Sequence, residues 1–223
     1  MEAGDRVNDC LGTPAVAPLM IGSAAPLFTA RSTMGTRSLA DYRGRWLVLF
    51  SHPADFTPVC TSEFLGFARL FERFQAIRCD LLALSVDSLY AHVAWVRAIA
   101  SEFGVEVPFP ILEDPSMAIA GAYGMIHAGA RDSSSVRATF VIDPDGIIRA
   151  MIWYPMSTGR SIQEILRLVQ ALQTSDAEAV STPEGWLPGD EVIEVPTLDV
   201  SDATAAGSGR SWFYRTRKSE IAR

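Results

Sequence analysis

Several things are scarce in this sequence. There are three cysteines, Cys10, Cys60 and Cys79, in 223 residues. That odd, sparse count argues against a secreted disulfide framework. It fits a reducing compartment, cytoplasmic here, with one thiol used for chemistry. Histidine is equally rare: His52, His92 and His127 show no ligand spacing, so no metal site is expected. No apolar run approaches the roughly 18 residues that cross a bilayer. The N-terminus carries Glu2, Asp5 and Asp9 rather than a basic-then-apolar pattern, so no targeting peptide is expected. A net charge of −7 offers nucleic acid no general attraction. Arg210, Arg215, Arg217, Lys218 and Arg223 read as a solvated basic tail. The expectations are therefore no membrane, no nucleic acid, no metal and no cofactor.

What is present centres on Ser51 to Glu63, SHPADFTPVCTSE. Before it, Leu47 to Phe50 is an apolar run suited to a buried strand. After it, Phe64, Phe67, Ala68, Phe71 and Phe74 recur at helical spacing. Thr57 then Pro58 is a helix start: a hydroxyl N-cap followed by proline at the first helical position. Cys60 thus falls in the first turn, where N–H groups are unpaired and the helix dipole is positive. The capping geometry predicts the Thr57 hydroxyl beside Cys60. A free cysteine is only a few per cent ionised at neutral pH. Bringing a thiol's ionisation down to about pH 6 needs about 3.4 kcal/mol of preferential stabilisation of the anion. A helix terminus supplies about 0.3–1 kcal/mol. Charge-assisted hydrogen bonds, at about 1.5–3 kcal/mol each, must supply the rest. A reactive Cys60 therefore requires a cation from elsewhere in the chain. The competing reading is a small buried core residue, as most free cysteines are.

In chain order, residues 1–20 read as a loosely ordered arm. A short strand is expected at Ala25–Ala30 and a loop at Arg37–Arg45. The Leu47 strand and the Cys60 helix, ending near Ile77, follow. Next come a strand at Leu81–Val86 and a helix opened by Asp87-Ser88. A short strand is expected at Phe109–Leu112 and a short helix at Ser116–Tyr123. Val136–Ile142 and Ile147–Trp153 form a hairpin about the turn Asp143-Pro144-Asp145-Gly146. Ser161-Ile162-Gln163-Glu164 is a capping box that opens a last helix. This order predicts an α/β fold with a mixed central sheet and helices on both faces, the arrangement of thioredoxin-like folds. The main domain is placed at 21–173. Residues 174–223 are turn-rich, with short strands expected at Val192–Val195 and Trp212–Arg215. They read as a C-terminal extension that dimerises or oligomerises, with Trp186, Val192, Val195, Trp212 and Phe213 packing on a partner subunit.

Pro53, Thr57 and Cys60 match the P-x-x-x-T-x-x-C signature of peroxiredoxins. Further matching blocks follow in order: Asp87-Ser88, VRATFVIDPDG at 136–146, YPMSTGR at 154–160 and STPEGWLPG at 181–189. The chain therefore resembles the one-cysteine branch of the peroxiredoxins and its archaeal thioredoxin-peroxidase relatives. The likeness runs from about Gly22 to Trp186 in register.

The resemblance implies a thiol-dependent peroxidase for hydrogen peroxide and organic hydroperoxides, acting in antioxidant defence. Cys60 is then the peroxidatic cysteine, oxidised to a sulfenic acid. Thr57 orients thiolate and peroxide, and Pro53 shields the site from water. Arg137 matches the family's catalytic arginine and is the missing cation. Arg160 matches the second arginine, and Glu63 the acid one turn after the cysteine. His52 resembles a histidine that contacts the sulfur. The implied partners are a peroxide, an external thiol reductant (glutathione or a thioredoxin-like protein) and further copies of the chain, as a homodimer or ring of dimers.

No cysteine follows Cys79, so no dedicated resolving thiol is expected. Cys79 lies past the far end of the Cys60 helix, roughly 25 Å away at 1.5 Å per residue. A disulfide needs Cα atoms within about 7 Å. Cys10, on the arm, is the open exception. A phospholipase activity seen in some relatives needs G-x-S-x-G, but Arg43-Gly44-Arg45-Trp46-Leu47 has no serine. A thiol–disulfide oxidoreductase needs C-x-x-C, and residues 57–60 begin with Thr57. A chaperone or signalling scaffold is the remaining alternative; unlike a peroxidase, it should survive Cys60→Ser.

Overall fold

The computed structural model describes residues 18–126, 135–196, 199 and 213–221. Cys10, His127 and Trp212 lie outside them. The elements in order are β1 (Thr29–Ser32), β2 (Gly35–Ser38), a single 3-10 turn (Leu39–Tyr42), β3 (Trp46–Ser51) and α1 (Pro58–Ala76). Then come β4 (Cys79–Ser85), α2 (Leu89–Phe103), β5 (Ile111–Glu113), α3 (Ala118–Ala122), β6 (Arg137–Ile142) and β7 (Ile148–Tyr154). The chain ends with α4 (Ile162–Glu178), β8 (Glu191–Ile193) and β9 (Thr216–Lys218).

β1 to β7 form one sheet in the order β2-β1-β5-β4-β3-β6-β7. β3, β4 and β5 run parallel, and the remaining pairs are antiparallel. The central strands are buried on both faces, so they read as unbroken apolar runs. Alternate β3 side chains serve the two sides: Val48 and Phe50 join a core with α1, α2 and α4. Leu47 and Leu49 join a second core with α3 and the segment around Phe28, Leu39 and Tyr42. Gly66 lets α4 sit close on α1, because a Cβ there would stand 2.9 Å from Ile162 Cγ1. That approach brings Arg160, two residues before α4, onto α1.

Several expectations shift. The loop expected at Arg37–Arg45 holds the end of β2 and the 3-10 turn, whose Ser38 and Asp41 form a capping box. β2 pairs with β1 along its length but buries little, so it carries no apolar signal. The last helix runs to Glu178, past the boundary placed at 173. In the extension, Trp186 and Val192 pack within their own chain, against Ala171 and Val180. Val195, Phe213 and Tyr214 are exposed. The second strand of the extension is Thr216–Lys218 rather than Trp212–Arg215, and it pairs with Glu191–Ile193. Its Arg217 is no solvated tail residue: Nη1 donates to Glu178 Oε2 at 2.8 Å.

Candidate active site

β3 ends at Ser51 and α1 begins at Pro58. Thr57 is the N-cap, with extended backbone (φ −92, ψ 146) and Pro58 behind it. The first intrahelical bond runs from the Thr61 N–H to the Thr57 carbonyl at 2.9 Å. The N–H groups of Val59 and Cys60 precede that ladder and face the open end of the helix. The Cys60 side chain turns inward and is fully buried, one turn from Glu63 and Phe64, which are buried with it.

Arg137, at the first position of β6, meets the sulfur. Its Nη1 lies 3.3 Å from Cys60 Sγ and donates to Glu63 Oε2 at 2.8 Å. Its Nε and Nη2 donate to the Met156 carbonyl at 3.0 and 2.8 Å. Ser51 fixes the start of β6 from the neighbouring strand: its hydroxyl donates to the Val136 carbonyl and accepts from the Ala138 N–H. Arg160 grips the other side of Glu63. Its backbone N–H and Nε donate to Oε1 at 2.7 and 2.9 Å, and Nη2 to Oε2 at 2.8 Å. Its Nη1 donates to the Ala138 carbonyl and to Thr139 Oγ1. Burial pushes the Glu63 carboxyl up, but the hydrogen bonds and charge of Arg160, with Arg137, outweigh this and hold it below the usual carboxylate range. It is therefore a carboxylate.

The charges do not balance by themselves. Two buried guanidiniums face one carboxylate, an excess of one positive charge. Uncompensated buried charge is costly. A thiolate on Cys60 brings the four-residue cluster to neutrality, with a donor already in place for it. The cation that a reactive Cys60 requires is thus Arg137, reaching from 77 residues away.

Two expectations on the loop are corrected. The Thr57 hydroxyl does not cap the helix: it donates to the Ala54 carbonyl at 3.0 Å, three residues back, where the turn of the loop brings that acceptor nearer. Its lone pairs stay available to a bound ligand. His52 makes no hydrogen bond to the sulfur. Its Nε2 bonds Asp55 Oδ1 at 2.8 Å and its Nδ1 has no hydrogen-bond partner. Burial lowers its pKa, and the Asp55 carboxylate only partly opposes this. Pro53 is buried in the same loop.

Asp55 and His92 were not singled out by the sequence. Asp55 accepts from His52 and, at 2.7 Å, from His92 Nδ1 on α2. The available signal was the His-x-x-Asp spacing at 52–55; His92 had none, because its partner is 37 residues away. Cys79 is a buried free thiol at the start of β4, and burial pushes its pKa up, so it is inert. Among the described residues no helix is long and apolar enough to cross a membrane.

Comparison with known proteins agrees with this geometry. Residues 21–151 match the AhpC/TSA family, and residues 171–206 match the C-terminal domain of 1-Cys peroxiredoxin. A peroxiredoxin of Aquifex aeolicus is 52% identical over 175 residues, 78% of this chain and 79% of that one. Peroxiredoxin 2 of Picrophilus torridus is 43% identical over 201 residues, 89% of this chain and 99% of that one. Among solved structures, a yeast mitochondrial 1-Cys peroxiredoxin described as resolved through glutathione and thioredoxin systems superposes with TM-score 0.80. It is 40% identical, covering 90% of this chain and 100% of that one. A cysteine-to-serine mutant of peroxiredoxin 6 of Arenicola marina gives TM-score 0.81 at 33% identity, covering 91% of this chain and 100% of that one. With the thioredoxin-like sheet, the buried cysteine at a helix start and both family matches in hand, the chain belongs to the AhpC/TSA family and is a peroxiredoxin of the 1-Cys kind, a thiol-dependent peroxidase.

Proposed function

We propose that Cys60 is the peroxidatic cysteine, with Arg137, Thr57 and Pro53 acting directly around it and Glu63 and Arg160 holding Arg137 in place. The carrying observation is the buried cluster that lacks one negative charge until Cys60 ionises. The Cys60 thiolate attacks the nearer peroxide oxygen. An S–O bond forms, the O–O bond breaks, and the alkoxide or hydroxide leaves with the bonding pair and is protonated. Sulfur is oxidised by two electrons to the sulfenic acid, and the peroxide is reduced to an alcohol or water. Arg137 stabilises the thiolate and the charge growing on the leaving oxygen. The Thr57 oxygen, its proton held by Ala54, accepts from the incoming hydroperoxide. Pro53 limits water.

An external thiol then attacks the sulfenic acid, releasing water and leaving a mixed disulfide, and a second thiol restores Cys60. The reading assigns this to glutathione or a thioredoxin-like protein, because Cys79 is buried at the far end of α1. Cys60 has no exposed surface, so the first turn of α1 or its flanking loop must open for the reductant.

The same reading keeps residues 21–173, with α4 running on to Glu178, as the catalytic unit and the remainder as an extension packed on α4. It places the protein in the cytoplasm, on its sparse cysteines. It also pairs two copies through β7, an edge strand with half-exposed Trp153, as a homodimer or a ring of such dimers.

The test is one equivalent of peroxide without reductant, followed by a sulfenic-acid trap and mass spectrometry of the full chain. The adduct should appear on Cys60, vanish in Cys60→Ser, and leave chains uncrosslinked. Quantitative recovery of a Cys10–Cys60 peptide, with turnover lost in Cys10→Ser, would overturn the one-cysteine mechanism.

A further inference from the structure

His92 lies outside the Cys60 cluster, and no step above uses it. It is fully buried on α2. Its Nδ1 faces Asp55 Oδ2 at 2.7 Å and its Nε2 faces the Leu112 carbonyl at 3.2 Å. A carboxylate and a carbonyl thus stand at its two ring nitrogens, and both are acceptors. Asp55 is the acceptor that His92 shares with His52. Burial pushes the Asp55 carboxyl up, but the hydrogen bonds from His52 and His92 pull it below the usual range. Phe64 and Trp95 seal the His52 ring, at 5.0 and 5.2 Å between centroids.

The pair sits where α2 meets the loop that carries Pro53 and Thr57. The Asp55 backbone N–H also donates to Asp87 Oδ2 at 2.7 Å, next to the Ser88 N-cap of α2. The loop is therefore held to α2 twice, through the side chain and the backbone of one residue. The next residue, Phe56, has φ +58, a conformation uncommon outside glycine. Such a turn persists only where its surroundings over-determine it. Thr57 follows directly. The ligand atoms of His52, Asp55 and His92 lie within 4.8 Å of one another, close enough to consider a metal. The cluster already satisfies itself, however, and His52 Nδ1, which would carry the proton on ligation through Nε2, faces no acceptor.

We infer that His92 is a positioning residue for peroxide reduction: with Asp87, it ties Asp55 to α2 and so sets the loop that places Thr57 against the Cys60 sulfur. This rests on the peroxidase reading above. The Arg137–Cys60 contact joins β6 to α1 and does not pass through this loop. Thiolate formation and peroxide positioning should therefore separate.

The test compares His92→Asn with His92→Gln in the full chain. The asparagine amide takes the place of Nδ1 and keeps the donor to Asp55. The glutamine amide takes the place of Nε2, keeping Leu112 and losing Asp55. Two rates are read on each: single-turnover reduction of hydrogen peroxide, and alkylation of Cys60 by iodoacetamide. Misplacing a reacting group by about 1 Å can cost on the order of 100-fold. His92→Gln should slow peroxide reduction roughly 10- to 100-fold, His92→Asn should restore most of it, and alkylation should hold in both. Equal losses in the two variants, a parallel fall in alkylation, or no loss would overturn the inference. If neither variant folds, Asp87→Ala at its half-buried position tests the same tie, and unchanged peroxide reduction there would overturn it. A wild type inert to peroxide would instead remove the peroxidase reading itself.

Discussion

Arg137 offers the sharpest perturbation of the site. In the wild type, Arg137, Arg160 and Glu63 sum to one positive charge, and the thiolate brings the total to zero. Arg137→Ala leaves Glu63 paired with Arg160, so the thiolate becomes an unmatched buried anion. The sulfur also loses its donor at 3.3 Å. A hydrogen bond to a charged group contributes about 1.5–3 kcal/mol. At about 1.4 kcal/mol per decade that is roughly a 10- to 100-fold lower thiolate fraction at neutral pH. Cys60 alkylation at neutral pH should slow accordingly. Peroxide reduction should fall further than alkylation, because the same guanidinium also meets the charge on the leaving oxygen, and one such donor is worth roughly 100- to 1,000-fold. Arg137→Lys keeps the charge but cannot span Cys60, Glu63 and Met156 together, so it should recover alkylation better than peroxide reduction. Stopped-flow peroxide consumption beside an iodoacetamide pH series measures both. An unmoved alkylation profile in Arg137→Ala would refute the charge argument.

Two further outcomes follow from the same contacts. Glu63→Gln leaves two buried guanidiniums facing each other, and breaking a buried pair costs about 3–5 kcal/mol, to be read by urea unfolding of the reduced protein. Because the folded-state Glu63 carboxyl is held below its ordinary range, its contribution is complete above the ordinary carboxylate value and is lost as pH falls through the lowered one. The gap between wild type and Glu63→Gln should therefore close on acidification, and a gap that widens would contradict the assignment. For assembly, sedimentation at micromolar concentration should show at least a dimer, and Trp153→Glu on the β7 edge should shift it toward monomer; a monomeric wild type would count against the β7 pairing.

The sequence reveals the site where its signals are local. Thr57 and Pro58 mark a helix start, so Cys60 falls in the first turn whatever the rest of the chain does. Glu63, one turn on, must share the Cys60 face. Arg137 and Arg160 are different. They reach Cys60 and Glu63 across 77 and 97 residues, and no periodicity links them. Only the ordered blocks of the family resemblance pointed to them. The fold divides the same way. β3 and β4 show themselves because burial on both faces demands unbroken apolar residues. β1, β2 and β9 are largely exposed or half-buried, with sequences TARS, GTRS and TRK that pairing tolerates but does not require. The Thr57 hydroxyl is misread for a related reason: cap preference names the residue, while the Ala54 carbonyl that takes its proton depends on a loop turn with no sequence signature.

The two buried charged clusters at the end of β3 differ in a way that separates chemistry from support. Around Asp55 the hydrogen bonds close: its carboxylate meets His52 on one oxygen and His92 on the other, with the His52 ring set between Phe64 and Trp95. Nothing there gains by reacting, and its bonds all run to fixed parts of the fold. Around Glu63 the charges stay open by one, and the atom placed to close them is the Cys60 sulfur, at the positive end of α1. On the proposed mechanism, closing that charge makes the nucleophile, and sulfenic acid formation carries it away on the leaving oxygen, so the cluster is again short of one anion. That shortfall favours a thiolate, and hence return to the reduced enzyme once a thiol reaches the site. Burial protects such an arrangement only while the loop before α1 keeps its shape, which is why a tether without any role in bond-making, Asp55 held by His92 and Asp87, belongs to the same device.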